Sequence, residues 1–182
     1  ERDLDGEGGF YAFNDFHAAL SLAQAGRAQD LERLMAVVHR AASAQDANGE
    51  MERQVGVGAC KAAIAFCDGR HGIAADLLAG IRDGASRFGG SHAQRDLLDL
   101  TLIEAAFGAG NDALAAALAA ERAALRPASP LARQFVQRLR MHDRVRLGQS
   151  ASRFGTQLPE CGLEIAAAPA LQIVGERRGQ VA

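Results

Sequence analysis

The side chains best suited to chemistry include three polar residues at equivalent places in the chain. His17, Cys60 and Thr101 each lie nine residues before a glycine that is predicted to end a helix. In that register they form one row along the first helices of successive helical hairpins, which commonly line the concave face of helical-repeat proteins. The spacing indicates a polar row in a ligand groove. The alternative is that each side chain is half-buried and makes a local hydrogen bond.

A second polar group lies at the start of a predicted helix near the middle of the chain. His92, Asp96 and Asp99 have the spacing that puts side chains on one helical face. Imidazole and carboxylate groups are zinc ligands, but no third element converges with them, so we predict no metal. His92 and Arg95 near a helix N-terminus would instead suit an anion or a peptide carboxylate. We favour ordinary ion pairs of Arg95 and Asp96 with neighbouring repeats.

A cysteine nucleophile is a further possibility. Cys60 and Cys67 share a helical face, and His17 of the neighbouring hairpin is a conceivable base. No nucleophile elbow is visible, and buried cysteine acting as a small apolar side chain is the commoner case. The chain also lacks a phosphate loop and a dinucleotide fingerprint, so we predict no cofactor. An enzyme or small-ligand site near His17, Cys60 and His92 stays open as the alternative function.

Helices must position these residues. Asn14 is a predicted N-cap, and Ser91 followed by Gln94 has the pattern of a capping box. Arg126-Pro127 ends a helix, because the residue before proline is pushed out of the helical region. Residues 45–50 are predicted to form a loop. The predicted helices are 14–25, 28–44, 51–67, 71–87, 91–108, 112–125 and 130–147.

The turns between these helices repeat. Gly26, Gly69 and Gly110 are 43 and 41 residues apart, and a leucine lies eight residues after each of them. Self-similarity of this kind is the signature of stacked helical hairpins, although the unit exceeds the roughly 34 residues of a tetratricopeptide repeat. We predict an all-α fold, a right-handed α-solenoid of about seven helices over residues 10–147. Residues 1–9 are a predicted flexible leader and 148–182 an irregular tail.

Composition restricts the function. The 182 residues suit one domain, and their net charge of -2 divides into about -8 over residues 1–121 and about +6 over 122–182. No window has the ~18 uncharged apolar residues of a membrane span. The three cysteines have no paired spacing, which favours a reducing cytosol. Seven arginines between 126 and 153 suggest nucleic acid, but aromatic residues are too few there, so we do not expect that partner.

Several stretches carry a family resemblance. Gly-Gly-Ser-His-Ala-Gln-Arg-Asp at 89–96, Thr-Leu-Ile-Glu-Ala-Ala at 101–106 and Ala-Glu-Arg-Ala-Ala-Leu-Arg-Pro-Ala-Ser-Pro at 120–130 resemble the C-terminal part of the tetratricopeptide repeat protein 38 family. Asn-Asp-Phe-His at 14–17 and Ala-Gly-Arg at 25–27 are also similar. The resemblance implies an all-helical superhelix of divergent repeats without a known catalytic activity. Members of that family are much longer, which implies that this chain is a fragment.

The predicted function follows from the repeats and from the lack of a complete catalytic set. We expect a cytoplasmic interaction scaffold, without enzymatic activity, that binds a peptide or a partner protein in its concave groove. The residues predicted to line the groove are Asn14, His17, Cys60, His92, Arg95, Asp96 and Thr101.

Overall fold

The protein is helical throughout the part that the structure describes. In this computed structural model the backbone is described for residues 11–87 and 91–151, and the side chains for residues 11–86, 91–92 and 95–142. No strand occurs in those ranges. The α-helices are α1 (Ala12–Gln24), α2 (Ala28–Ala42), α3 (Ala47–Met51), α4 (Val57–Cys67), α5 (His71–Ile81), α6 (His92–Gly108), α7 (Asp112–Leu125) and α8 (Pro130–Ala151).

Two irregular helical segments complete this set. A π-helical turn, Glu52–Gly56, joins α3 to α4 without a break, and a 3-10 helix, Arg82–Arg87, extends α5. Counted as continuous rods, the described ranges therefore contain seven helices. The prediction of an all-α protein with about seven helices is confirmed.

Three turns with one geometry follow α1, α4 and α6. Gly26, Gly69 and Gly110 have φ angles of 65°, 74° and 67°, the left-handed region that favours glycine. In each turn the glycine amide and the amide after it donate to carbonyls of the last helical turn, at 2.8–3.1 Å. This is the Schellman arrangement, which satisfies carbonyls that a helix end leaves without partners. The predicted turns are confirmed, and they are structurally equivalent.

Helices that follow one another in sequence pack together. The pairs α1–α2, α4–α5 and α6–α7 are in contact, and α1 also contacts α4 while α5 contacts α6. Alanine makes much of this packing possible: Ala59, Ala62 and Ala63 of α4 are fully buried. Larger side chains such as Phe16 and Leu102 fill the space between the helices. The small residues allow the close helix contacts that an alanine-rich sequence favours.

The predicted loop at 45–50 is wrong for most of its length. Asp46 caps α3, and its carboxylate accepts a 2.8 Å hydrogen bond from the Gly49 amide. Gly49 lies so close to the preceding turn that a Cβ would overlap the Ala44 carbonyl oxygen. The capping pattern was present in the sequence, but Asn48 and Gly49, poor helix formers, obscured it.

The prediction is wrong at the start of α1 and at the end of α8, and right at the start of α6. Tyr11, not Asn14, occupies the N-cap position of α1, and Asn14 is an exposed residue of the first turn. Ser91 directly precedes α6, and its carbonyl accepts from the Arg95 amide at 2.9 Å, as expected for an N-cap. Helix α8 continues to Ala151, four residues beyond its predicted end. The predicted leader at 1–9 and the tail from 152 onward lie outside the described residues.

The chain divides into two compact units, Glu1–Val145 and Arg146–Ala182. The helices from α1 to α7 and most of α8 belong to the first unit. Of the second, the structure describes only the backbone of the last residues of α8.

A helix that crosses a bilayer needs about 20 predominantly apolar residues. Within the described ranges, no helix is both long enough and apolar enough to cross a membrane.

Candidate binding site between α5 and α6

A cavity of about 270 Å³ lies where α5, its 3-10 extension and α6 meet. Part of its lining is apolar and buried, with Leu78, Leu98 and Leu102 as the main contributors. The volume is near the lower limit for small-molecule sites, which start at roughly 300 Å³, so it suits one or two side chains. The charged and polar lining residues are Arg82, Ser86, His92, Arg95, Asp96, Asp99 and Arg126.

Asp96 forms the most buried ion pair of the described residues. Its carboxylate accepts from both terminal nitrogens of Arg122, at 2.7 and 2.6 Å, and from Nη1 of Arg126 at 2.9 Å. The Asp96 and Arg122 side chains are only 10 % and 8 % exposed. The hydrogen bond to Asp96 raises the pKa of Arg122. Two guanidinium groups thus share one carboxylate, so this cluster carries a net positive charge, and its members Asp96 and Arg126 line the cavity.

Arg82 belongs to a cluster with the opposite charge balance, one guanidinium with two carboxylates. Its Nη1 and Nη2 donate to the two carboxylate oxygens of Glu121, at 2.9 and 2.7 Å, and its Nε donates to Asp99 at 3.1 Å. The hydrogen bond to Glu121 raises the pKa of Arg82, and the same bond lowers the pKa of Glu121. One guanidinium binds two carboxylates, so this cluster carries a net negative charge, and its members Arg82 and Asp99 line the cavity.

His92 and Arg95 lie together in the first turn of α6. Nη2 of Arg95 is 3.2 Å from Nδ1 of His92. A guanidinium nitrogen can only donate, so Nδ1 of His92 must accept, and that requires the imidazole tautomer with its hydrogen on Nε2. His92 is exposed and lines the cavity. The structure therefore brings three predicted residues, His92, Arg95 and Asp96, to one cavity.

The predicted polar row is not part of this cavity. His17 is half-buried, and its Nδ1 lies 3.0 Å from the Phe13 carbonyl oxygen. Thr101 is buried and donates from Oγ1 to the Leu97 carbonyl oxygen at 2.7 Å. Cys60 is fully buried, and burial raises the pKa of its thiol far above the ordinary value. These contacts match the alternative of local hydrogen bonds and burial.

That arrangement also bears on the enzyme alternative. A thiol nucleophile reacts as the thiolate, so a buried cysteine with a raised pKa is a poor one. The cavity that contains His92 is lined by neither His17 nor Cys60. Asn14, the remaining predicted residue, is exposed on α1 and is also outside the lining.

No metal site is apparent among the residues whose side chains are described. None of them belongs to a group of three or more histidine, cysteine or acidic residues that would hold an ion. Asp96 and Asp99, which share a face with His92, are each paired with arginine.

The arginines after α7 have intramolecular partners as well. Arg138 pairs with Glu104 at 2.7 Å and lies over the Phe107 ring, 4.1 Å from its centroid. Arg133 donates to the Ala128 carbonyl oxygen at 3.2 Å. Arg126 is bound to Asp96, so three arginines of the predicted basic face have hydrogen-bond partners within the chain. This weakens the hypothesis that the basic face binds nucleic acid.

Sequence reasoning missed a pair of buried carboxylates. Glu52 in the π-helical turn is 0 % exposed, and Asp15 of α1 is 3 % exposed. The available signal was Gly56, four residues after Glu52, because a glycine at that spacing leaves room on the helix surface for the carboxylate.

The comparisons with known proteins do not identify the chain. No known protein-family model matches the sequence, and no solved structure matches it.

Proposed function

We propose that this protein is a tetratricopeptide-like scaffold that binds a peptide or a partner protein. One observation carries the binding role: His92, Arg95 and Asp96 lie together around an accessible cavity between two helical hairpins. The cavity combines an apolar wall with guanidinium groups, a combination that orients a bound side chain as well as burying it.

The scaffold part of the proposal rests on the repeated geometry. Three identical Schellman turns end α1, α4 and α6, and α1 contacts α4 while α4 contacts α6. Stacking of this kind, continued from hairpin to hairpin, produces a right-handed α-solenoid with its first helices on one face. The resemblance to the tetratricopeptide repeat protein 38 family agrees with this reading.

The charges at the cavity favour a partner that supplies a carboxylate. Arg126 is 45 % exposed and donates one hydrogen bond to a described residue, so further N–H groups of its guanidinium can reach a ligand. Asp96 already accepts three hydrogen bonds from arginine, so it competes weakly for the remaining N–H groups of Arg126. An acidic peptide side chain or chain terminus beside an apolar residue would satisfy both parts of the site.

Selection from a random-peptide phage library tests the proposal. We expect enriched peptides to bind the full chain saturably in a fluorescence-polarisation titration. Arg126→Ala should weaken that binding about tenfold, which corresponds to roughly 1.4 kcal/mol. Arg33→Ala is the matched control: Arg33 is exposed on α2, outside the cavity lining, and its loss should leave the affinity unchanged.

Circular dichroism of both variants would show that the helices are retained. Failure to enrich any peptide, or equal affinity of Arg126→Ala and the wild type, would contradict the proposed site.

A further inference from the structure

Glu52 is a carboxylate at the centre of a helix interface. It is 0 % exposed, and neither of its carboxylate oxygens has a hydrogen-bond partner among the described residues. Buried carboxylates are normally paired or hydrogen-bonded, because a lone charge in the protein interior is expensive. Glu52 therefore requires a physical explanation that a surface glutamate would not.

The local backbone is shaped around this side chain. Glu52 begins the π-helical turn, and a Cβ placed at Gly56 would overlap its Oε2. The same hypothetical Cβ would lie 3.1 Å from Cβ of Ala12, the first residue of α1. The carboxylate thus occupies the gap between α1 and the glycine of the turn. Such π-turns inside α-helices are rare and are frequent at functional sites.

Two further titratable groups, Asp15 and Cys60, interact electrostatically with Glu52. Asp15 of α1 is 3 % exposed, and its charge raises the pKa of Glu52. Cys60 of α4, fully buried, has its own pKa raised by both carboxylates after the larger effect of burial. Both neighbours are acids, and the charge of Asp15 disfavours the ionised forms of Glu52 and Cys60.

Among the residues whose side chains are described, the remaining elements packed on the turn bring no cation that pairs with Glu52. Arg53, next to Glu52, is exposed and donates to the carbonyls of Ala42 and Ala44. In the 3-10 helix, Arg82 is paired with Asp99 and Glu121, and Asp83 is exposed. The charged residues of α2 and α3 are at the surface or half-buried; they are Asp30, Glu32, Arg33, His39, Arg40 and Glu50.

We propose that Glu52 is a proton-operated latch between α1 and the α3–α4 rod. In the protonated state the side chain is neutral and α1 packs closely over it. Loss of the proton places a charge beside Asp15 in an apolar interface and loosens the α1–α2 hairpin from α4. Burial, followed by the charge of Asp15, raises the pKa of Glu52 to about 7, so the latch responds near neutral pH. This device goes beyond the proposed peptide site, which involves none of these residues.

Cys60 is a built-in reporter of the opening, because it is 0 % exposed in the same interface. The full chain is treated with iodoacetamide between pH 5.5 and 8.5, and alkylation of Cys60 is followed by peptide mass spectrometry. The rate in wild type is divided by the rate in Glu52→Gln at each pH, which cancels the ionisation of the thiol in the open state, where Cys60 is exposed and away from both carboxylates. We expect this ratio to rise at least tenfold with a midpoint near pH 7, whereas a ratio constant within twofold would overturn the latch.

Two more variants make the experiment decisive. Asp15→Asn removes the neighbouring charge, so the midpoint for Cys60 alkylation should move to lower pH; an unchanged or higher midpoint counts against the proposal. This variant also provides the answer if Glu52→Gln does not fold. Glu32→Gln is the matched control, since Glu32 is exposed on α2 and should keep the wild-type profile.

Discussion

Two carboxylates in different regions of this protein, Asp96 with a side chain 10 % exposed and Glu52 fully buried, have opposite surroundings. Asp96 between α6 and α7 accepts three hydrogen bonds from Arg122 and Arg126. Glu52 between α1 and α4 accepts none from a described residue and has Asp15 as its charged neighbour. A buried charge can be compensated by a counter-ion or removed by a proton. The first solution makes a rigid pair, and the second makes the packing depend on pH.

The largest effect should come from breaking the paired site. Asp96→Ala leaves Arg122 buried without its carboxylate, and removal of one partner of a buried pair costs about 3–5 kcal/mol. The free energy of unfolding, measured by urea denaturation at pH 7, should fall by that amount. Asp76→Ala, at an exposed site on α5, should change it by less than about 0.5 kcal/mol. A loss below about 1 kcal/mol for Asp96→Ala would remove the contrast with Glu52.

The unpaired site should show the opposite behaviour, a cost that appears as the pH rises. The folded-state pKa of Glu52 is raised from 4.5 to about 7. Its contribution to stability is therefore fully present below pH 4.5 and is lost as the pH rises through 7, by about 3 kcal/mol at ~1.4 kcal/mol per pKa unit.

Urea denaturation from pH 4.5 to 8.5 measures this term. In Glu52→Gln the difference in the free energy of unfolding between pH 4.5 and pH 8.5 should be smaller than in the wild type by about 3 kcal/mol, because an amide does not titrate. An unpartnered amide in the core costs the same at each pH, so that cost cancels in the difference. Equal pH profiles of wild type and variant would show that Glu52 is compensated after all.

The smallest effect concerns the space that Gly56 provides. In Gly56→Ala the new methyl group must displace the Glu52 carboxylate, and Cβ of Ala12 is also close to it. Overpacking of this kind costs about 1–2 kcal/mol. Gly72→Ala is the matched control in α5, where nothing lies within 4 Å of the new Cβ. The control should gain about 0.5–1 kcal/mol from helix propensity. Thermal denaturation measures the melting temperatures of Gly56→Ala and Gly72→Ala against the wild type. If both melting temperatures change in the same direction, the Glu52 carboxylate does not lie over Gly56.

Local signals in the chain predicted the turns well. Gly26, Gly69 and Gly110 end their helices as expected, because the left-handed conformation of a Schellman turn depends on the residue at that position. Helix α7 has its predicted bounds, 112–125, since Asn111 caps it and Arg126-Pro127 closes it. Asn14 fails as a cap because α1 begins earlier, where Ala12 and Phe13 are buried and packing outweighs capping preference.

The candidate site was predictable only in part. Helical spacing grouped His92 with Asp96 on α6, but nothing local indicated that Arg122 of α7 and Arg126, directly after α7, would bind Asp96. The row of His17, Cys60 and Thr101 keeps the predicted register along the chain, yet burial and short-range hydrogen bonds occupy these side chains. Register determines which residues are equivalent, whereas accessibility depends on the neighbouring helices.

By itself, the sequence determined the helical class, the hairpin turns and their repeat, because these depend on propensities and spacings within a few residues. Only the tertiary structure decided which charges are paired. The distance between Asp96 and Arg122, or between Glu52 and Asp15, depends on how helices far apart in the chain pack together. The compensation of a buried charge is a property of that packing, so the contrast between the two carboxylates is visible only in the folded protein.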